Sequence, residues 1–490
     1  MKNLQTEILI VGAGPSGLTA GFKLIDKKEF IIIEKSPNYV GGISRTEKYK
    51  NFKFDIGGHR FFSKSKEINK LWDQILPHDI ILRKRSSRIL FKNKFYSYPL
   101  KPFQALLNLG LIESILVVLS YIRAKTIKNK NINSYQDWVI DKFGKRLFEN
   151  FFETYTEKVW GMKCNEISSD WAAQRIKGLD LKKVIINSLF KKKDKKIKTL
   201  IEEFKYPRKG PGMLWEAAKD KIIENDKNIF MNANAYEYEY SDKNKVWKVK
   251  CKINDEDYEI TCKQIINSAP LKEVINNIKP NLKIKDDAKL LKYRDFITVA
   301  VILDYRLDIE DNWIYLHDPD IKAGRLQNFA SWSPEMIDQG RECACIGLEY
   351  FCNEDDNFWS SSDDEILKIA TKDLEKISII DTNKISDFKV VRQEKAYPVY
   401  DENYKNSVSN IITELTSKYE TMHMVGRNGM HKYNNQDHAM MSSILTVKNI
   451  LNNNKENDPW MINIDAEYHE EKKDQIEALK SLREYPKKIS

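Results

Sequence analysis

"TEILIVGAGPSGLTAGFKLI", Thr6 to Ile25, carries a strand, a glycine-rich turn and a helix in one run. Its four consecutive aliphatics, Ile8 to Val11, predict a strand buried on both faces. Gly12-x-Gly14-x-x-Gly17 follows at once, and apolar residues at helical spacing come next. In a strand-to-helix turn each glycine has a separate task. The first permits the tight bend, the second lets a pyrophosphate approach the main chain, and the third lets helix and strand pack closely. The helix start, with Ser16 inside the turn, offers N–H groups and a positive dipole end to phosphate. A second strand, "FIIIEK", ends in Glu34 and Lys35. Glu34 lies about twenty residues beyond the glycines, the reach at which an acid accepts ribose hydroxyls. The pattern predicts a Rossmann-type α/β unit holding a dinucleotide.

The surrounding chain is long enough for more than this unit. Its 490 residues suggest two or three domains. Hydrophobic residues make up 41% and charged residues 31%, a water-soluble, globular composition. The net charge of +10 is spread along the chain, with one dense run, "KKKDKKIK", from Lys191 to Lys198. Such a run reads as a solvated face, so nucleic acid is not an expected partner; a general positive bias suits an anionic small molecule. The six cysteines form no CxxC pair, and Cys343-x-Cys345 is poor ligand spacing. Reduced thiols in a cytoplasmic protein, without disulfides or a metal site, are expected. The first residues enter a strand and carry no signal-peptide pattern. "ALLNLGLIESILVVLSYI", Ala105 to Ile122, nears the length of a membrane span, but Asn108, Gly110 and Glu113 interrupt it. Glu113 argues for a buried helix, and membrane contact is not expected.

Outward from the nucleotide turn, "YVGGISRTEKY" sets Gly41, Gly42 and Arg45 soon after Glu34, as a second approach of backbone and cation to pyrophosphate requires. "FDIGGHRFF" then brings Gly57, Gly58 and His59 among aromatics. Together these elements resemble the FAD-dependent superfamily of amine oxidases, protoporphyrinogen oxidases and UDP-galactopyranose mutases. The His after a Gly-rich turn resembles that of the mutases, which implies that His59 lies against the flavin ring.

The likeness sharpens at "YTEKVWG", Tyr155 to Gly161. Upstream, Trp138, Val139, Phe143, Leu147 and Phe151 keep helical spacing, and there the periodicity dissolves. The run of Tyr, Thr, Lys, Trp and Gly resembles the substrate-cleft segment of the UDP-galactopyranose mutase family. The resemblance implies that Tyr155 and Trp160 are aromatic walls and Lys158 a polar contact for a nucleotide sugar; stacking on Trp or Tyr suits a uracil ring or sugar face. It further implies a diphosphate contact from Arg325 in "AGRLQNFASW", where the planar guanidinium fork suits phosphate, and from Tyr397 in "AYPVYD", with Tyr400 second to it. Arg175 matches a family arginine, and Tyr433 is a further substrate-binding candidate. In "MHMVGRNGMHKYNNQDHAMM", Gly426 and Arg427 match the last FAD-binding strand end, and Asn435, Gln436 and Asp437 the helix start beneath the flavin. A positive helix end there would stabilise negative charge on reduced flavin. Two departures bear on the sugar. His431-Lys432-Tyr433 and Gln436-Asp437 replace the family's Tyr-x-Tyr and Met-Asp, and Leu179 stands where a substrate arginine is expected.

The resemblance implies an α/β fold: a Rossmann-type FAD-binding domain with an inserted helical domain and an antiparallel-sheet substrate domain. The expected segments are residues 1–95 and 204–290 for FAD, 96–203 for the helical cleft insertion, 291–395 for the substrate sheet, 396–451 for the FAD-closing segment and 452–490 for a polar tail. The function implied is pyranose–furanose ring contraction of a nucleotide sugar through reduced flavin N5, in cell-surface polysaccharide biosynthesis, with an external flavin reductant. An oxidase of the amine or porphyrinogen type is the alternative, and a non-catalytic flavin-binding protein a third. Oligomeric state is left open.

Overall fold

The structure is a computed structural model describing residues 1–127, 131–169, 171–172, 199–200, 203–463 and 471–472. Arg175, Leu179, the Lys191–Lys198 run and most of the tail beyond residue 463 lie outside the described residues.

The opening stretch folds as its pattern dictates. Ile8–Val11 is a fully buried strand, Pro15–Leu24 a helix and Phe30–Ile33 the next strand. They centre a five-stranded sheet ordered Asn228–Phe230, Phe30–Ile33, Ile8–Val11, Gln264–Asn267, Met422–Met424, parallel throughout. Counted along the chain, the order is 3-2-1-4-5, so the direction of winding reverses beside Ile8–Val11. A ligand crevice opens outside the carboxyl ends of the strands at such a reversal, and the glycine turn stands there. One face of this sheet is covered by Pro15–Leu24, Gly212–Glu224 and Gln436–Asn452 through Leu18, Leu214, Trp215 and Ile444. The other packs on a second five-stranded sheet through Trp247, Val249 and Ile260.

A seven-stranded sheet forms the other half, ordered Ile385–Pro398, Tyr293–Leu303, Ala344–Cys352, Arg325–Asn328, Trp313–Leu316, Ser87–Phe91, Lys94–Ser97. It is antiparallel except where Trp313–Leu316 runs parallel to Ser87–Phe91. The sheet therefore draws on residues upstream of 95. Its site-facing side is lined by Phe54, Phe296, Phe351 and Tyr397, with Trp160 in the same cluster.

Two sequence expectations need correction. The periodicity loss at Tyr155 is not the end of the helix: Thr154–Trp160 is helical, and a π-helical turn at Glu149–Glu153 precedes it. The wider turn shifts the phase of the apolar face, which hides the helix from a 3.6-residue count. Gly161 closes it at φ +64°, a left-handed cap that glycine adopts without strain. The apolar stretch from Ala105 is not one buried helix either. Gly110, at φ +87°, divides it into Pro102–Leu109 and Leu111–Thr126, and within the second helix only Val117 is buried.

Candidate active site

The glycine turn separates ligand space from packing space. A Cβ on Gly17 would stand 1.8 Å from the Gly12 carbonyl oxygen, so this glycine serves helix-on-strand packing. A Cβ on Gly14 would meet nothing within 4 Å, and the nearest atom to one on Gly42 is the Gly14 Cα at 3.7 Å. Two glycine backbones thus bound an opening at the helix start. The Gly41 N–H fixes the second to the first by donating to the Ala13 carbonyl at 2.8 Å. Glu34 accepts from the Ala13 N–H at 2.6 Å and the Ser36 N–H at 2.8 Å, one on each oxygen. Burial pushes its carboxyl above the usual range, and the two N–H donors oppose that shift. Lys35 beside it is exposed. Arg45 is buried under Tyr39, 4.1 Å from the ring centroid, and binds Glu47, the Gly42 carbonyl and Gln393. It clamps the second glycine pair rather than reaching across the opening.

The closing segment reaches the same place. A Cβ on Gly426 would strike the Ser16 hydroxyl at 2.4 Å, and that hydroxyl donates to the Ala439 carbonyl in the helix Gln436–Asn452. Asn435 caps this helix, its N–H donating to His438 Nδ1 at 3.2 Å, and Asp437 is buried. The Gln436 amide is enclosed, and neither its oxygen nor its nitrogen has a partner among the described residues. An orphaned buried amide is costly unless a ligand satisfies it. The open glycine pair, the ribose-range acid and this amide fit a dinucleotide.

Beyond them, Gly57 takes φ +82° and Gly58 abuts the Trp313 ring, which a Cβ would penetrate at 2.2 Å. His59 Nδ1 lies 3.0 Å from the Gly57 carbonyl. A carbonyl only accepts, so Nδ1 carries the proton and Nε2 remains an acceptor. Burial first, and then the Arg427 charge, push the His59 pKa down to about 3, so the ring is neutral. A Cβ on Gly57 would sit 3.9 Å from the Tyr397 hydroxyl, joining this turn to the substrate sheet.

The sheet and the helix Thr154–Trp160 carry the remaining candidates. Tyr397 stacks on Tyr433 with centroids 5.3 Å apart and planes 15° apart, and Arg427 lies 5.3 Å over each ring. Arg427 also donates to the Asn434 and Ala396 carbonyls. Burial, ahead of the neighbouring Tyr433, raises the Tyr397 pKa to about 12. Tyr400 stacks on Tyr404 and accepts from the Tyr433 N–H at 2.8 Å, a supporting position. Arg325 donates to the Tyr155 hydroxyl at 2.6 Å and to Glu349 at 3.0 Å. Glu349, completely buried, also accepts from Gln327 at 2.7 Å, and burial pushes its carboxyl up. Tyr155 stacks on His317 at 4.6 Å. One sequence candidate turns away from this cluster, and a second is enclosed behind it. Lys158 is anchored on the Leu316 and Asp318 carbonyls, and burial lowers its pKa to about 8. Trp160 is buried between Trp171 at 5.3 Å and Tyr433 at 6.1 Å, within the core.

Sequence reasoning missed Glu349, His317, Trp313 and Asp55. Glu349 carried a signal: a lone acid in the apolar strand "CACIGLEYFC" must find a cation when buried. Asp55 carried a similar one in "FDIGGHRFF". It is fully buried, accepts from Tyr206 and Thr46, and burial lifts its pKa to about 7.

A sequence profile for the NAD(P)-binding Rossmann-like domain matches residues 10–75. A thiamine thiazole synthase of Aeropyrum pernix is 42% identical over 41 residues, which is 8% of this chain and 15% of that protein. Solved structures extend the likeness to nearly the whole chain. Reduced UDP-galactopyranose mutase superposes with a TM-score of 0.76 at 20% identity, over 92% of this chain and 94% of that one. A protein assigned as a protoporphyrinogen oxidase, from Exiguobacterium sp. 255-15, gives 0.70 at 14%, over 92% and 99%. Putrescine oxidase bound to putrescine gives 0.60 at 13%, over 92% and 100%. At these identities the likeness is one of fold: a Rossmann-like dinucleotide-binding α/β architecture joined to a large mixed sheet, shared with mutases and oxidases alike.

Proposed function

We propose that the chain is an FAD-dependent enzyme acting on a nucleotide sugar, a pyranose/furanose mutase serving cell-surface polysaccharide synthesis. One observation carries the reading. Arg45, which binds the Gly42 carbonyl, and Arg427 both act on the His59 ring, and Gly57 beside it approaches Tyr397 in a cluster with Tyr433, Arg427, Tyr155 and Arg325. An apolar or amine substrate has no use for so many phenols and guanidinium groups.

FAD would be held by the Gly12–Gly17 turn at its pyrophosphate, by Glu34 at a ribose, and by Gly57–His59 and Gly426–Asp437 at the flavin end. Reduced flavin supplies an electron-rich nitrogen able to add to an anomeric carbon as a diphosphate departs. The protein's part is binding and orientation. The Tyr397 and Tyr433 hydroxyls, their rings under Arg427, donate to diphosphate oxygens. Arg325 holds the Tyr155 hydroxyl in one direction. His59 stays neutral and accepts a hydrogen bond at Nε2 without placing a second positive charge beside Arg427. Catalysis here needs a reductant from outside the chain but no net electron transfer.

A second reading, an oxidoreductase of the amine or porphyrinogen oxidase type, draws on a specific observation. Arg325 is matched by Glu349, and Lys158 by main-chain carbonyls, so one expected diphosphate contact and one expected polar contact to the nucleotide sugar are engaged by protein groups. Anaerobic incubation of the dithionite-reduced protein with a panel of pyranose nucleotide sugars separates the two. Furanose products and a cyanoborohydride-trapped flavin–sugar adduct are expected. In a parallel anaerobic incubation of the oxidised protein, substrate-dependent bleaching of the flavin with a desaturated product would establish the second reading instead.

A further inference from the structure

The helix Leu111–Thr126 is built inside out. Its inward face carries the polar contacts: Glu113 accepts from Arg146 at 2.7 and 2.8 Å and from Asn150 at 2.8 Å, and Ser120 accepts from the Arg146 N–H at 3.0 Å. Its outward face is aliphatic. Leu111, Ile112, Ile115, Leu116, Val118, Leu119 and Ile122 are all exposed, Leu111 and Ile112 to 79% and 78%. At 100° per residue they cover an arc of about 160°. Phe103 and Leu107 on Pro102–Leu109 extend the patch at 64% and 68% exposure. Scattered exposed aliphatics need no explanation, but a contiguous face of this kind marks an interaction surface.

Charge identifies the occupant. Between Lys92 and Ile127 the basic residues are Lys92, Lys94, Lys101, Arg123 and Lys125, all exposed, and the one acid is the inward-turned Glu113. A second copy docked face to face would bring two such rims together, with the exposed acids Asp308 and Glu310 confined to the cleft beside Lys101. An anionic bilayer supplies the counter-charge. No described helix is long and apolar enough to cross a membrane, so the geometry is that of a helix lying in the interface. Glu113, the residue that argued against membrane contact in the sequence, is the one the fold removes from the apolar face. We infer that the outward face of residues 102–126 is a docking surface for an anionic lipid bilayer.

The placement has a consequence for the site. A cleft of mixed charge, with Ser87, Tyr98, Lys101 and Phe103 on one side and Asp308 and Glu310 on the other, opens beside these helices. Ser87 accepts from Arg60, the neighbour of His59, at 2.8 Å, and Tyr98 packs on Tyr315, 5.5 Å from Tyr155. A bilayer seated on the patch therefore lies beside a cleft whose walls touch the candidate active site.

The test is co-sedimentation of the full chain with vesicles of phosphatidylcholine alone or with about a third phosphatidylglycerol, at low and high salt. Binding to the anionic vesicles is expected, weakened by salt. The double variant Ile112→Ser/Leu119→Ser changes only outward residues. It should lower partitioning about tenfold or more while melting temperature and flavin content stay unchanged. Lys101→Glu/Arg123→Glu should abolish the preference for anionic vesicles. Failure of the wild-type protein to bind anionic vesicles, or equal binding by the serine variant, overturns the inference. Sedimentation velocity gives the competing outcome. A dimer that the serine variant dissociates, without vesicle binding, would assign the surface to a second copy. Neither result depends on the mutase reading, because flavin content is measured separately.

Discussion

Gly14 and Gly17 stand three residues apart and answer to different forces. Gly14 has an extended backbone with φ −76° and open space around it, so alanine fits there without strain. Gly14→Ala should keep stability within about 0.5 kcal/mol while lowering flavin occupancy, as calorimetry and the visible spectrum of the purified protein will show. Gly17→Ala places a methyl on the Gly12 carbonyl and should destabilise the fold by about 3 kcal/mol or prevent it. Glu349 gives the complementary case. Glu349→Gln leaves the buried Arg325 guanidinium uncompensated, and chemical denaturation should register a loss of about 3 kcal/mol. At this scale the motif glycines were legible because each has one physical task. The direction of a long side chain was not. Lys158 and Arg325 stand in the stretches the sequence singled out, but whether a cation meets a ligand or a carbonyl depends on strands 158 and 24 residues away.

Among the elements, the helix Thr154–Trp160 positions Tyr155 and depends on its cap. Gly161 combines a left-handed backbone with contact to the Arg294 guanidinium, where a Cβ would stand 2.4 Å from Cζ. Arg294 is itself held by the Val159 and Phe351 carbonyls and has little room to yield. Gly161→Ala should cost about 2 kcal/mol in thermal or chemical unfolding. Gly161→Asn, which tolerates the left-handed region, should be nearly as harmful, because the clash remains. Recovery by Asn would assign the effect to backbone strain alone. The strands were readable from alternation and apolar runs, as in Tyr293–Leu303 and Ala344–Cys352. The π turn was not, since one extra residue per turn breaks the period by which helices are recognised. Nor was the outward face of Leu111–Thr126: an apolar stripe shows amphipathicity without saying which side meets the protein.

Across the whole molecule, the nucleotide crevice is assembled from strands at residues 8–11, 30–33, 228–230, 264–267 and 422–424. Local pattern found the strands at 8–11 and 30–33, and only the fold supplies the order that puts the crevice beside the first. Stability should also fall toward acid pH. Burial pushes His59 and His317 down to about 3 and His423 and His431 down to about 4. The unfolded chain takes up these protons below about pH 6.5 and the folded chain does not, so stability present above that pH is lost as pH falls toward 4. Asp55, lifted to about 7, acts in the opposite sense: its contribution is lost as pH rises toward 7. His423 isolates the effect, because it lies away from the site and bonds Gln264 at 2.8 Å. His423→Gln should regain about 1–2 kcal/mol relative to wild type between pH 6.5 and 4.5, measured by denaturant melts at each pH. On the proposed function, the glycine-bounded opening holds FAD. Titration of FAD into the folded, flavin-stripped protein, followed by flavin fluorescence, measures this directly. Saturable quenching at one FAD per chain, weakened by Gly14→Ala, is the expected result. Absence of binding by a wild-type chain that circular dichroism shows to be folded would contradict it.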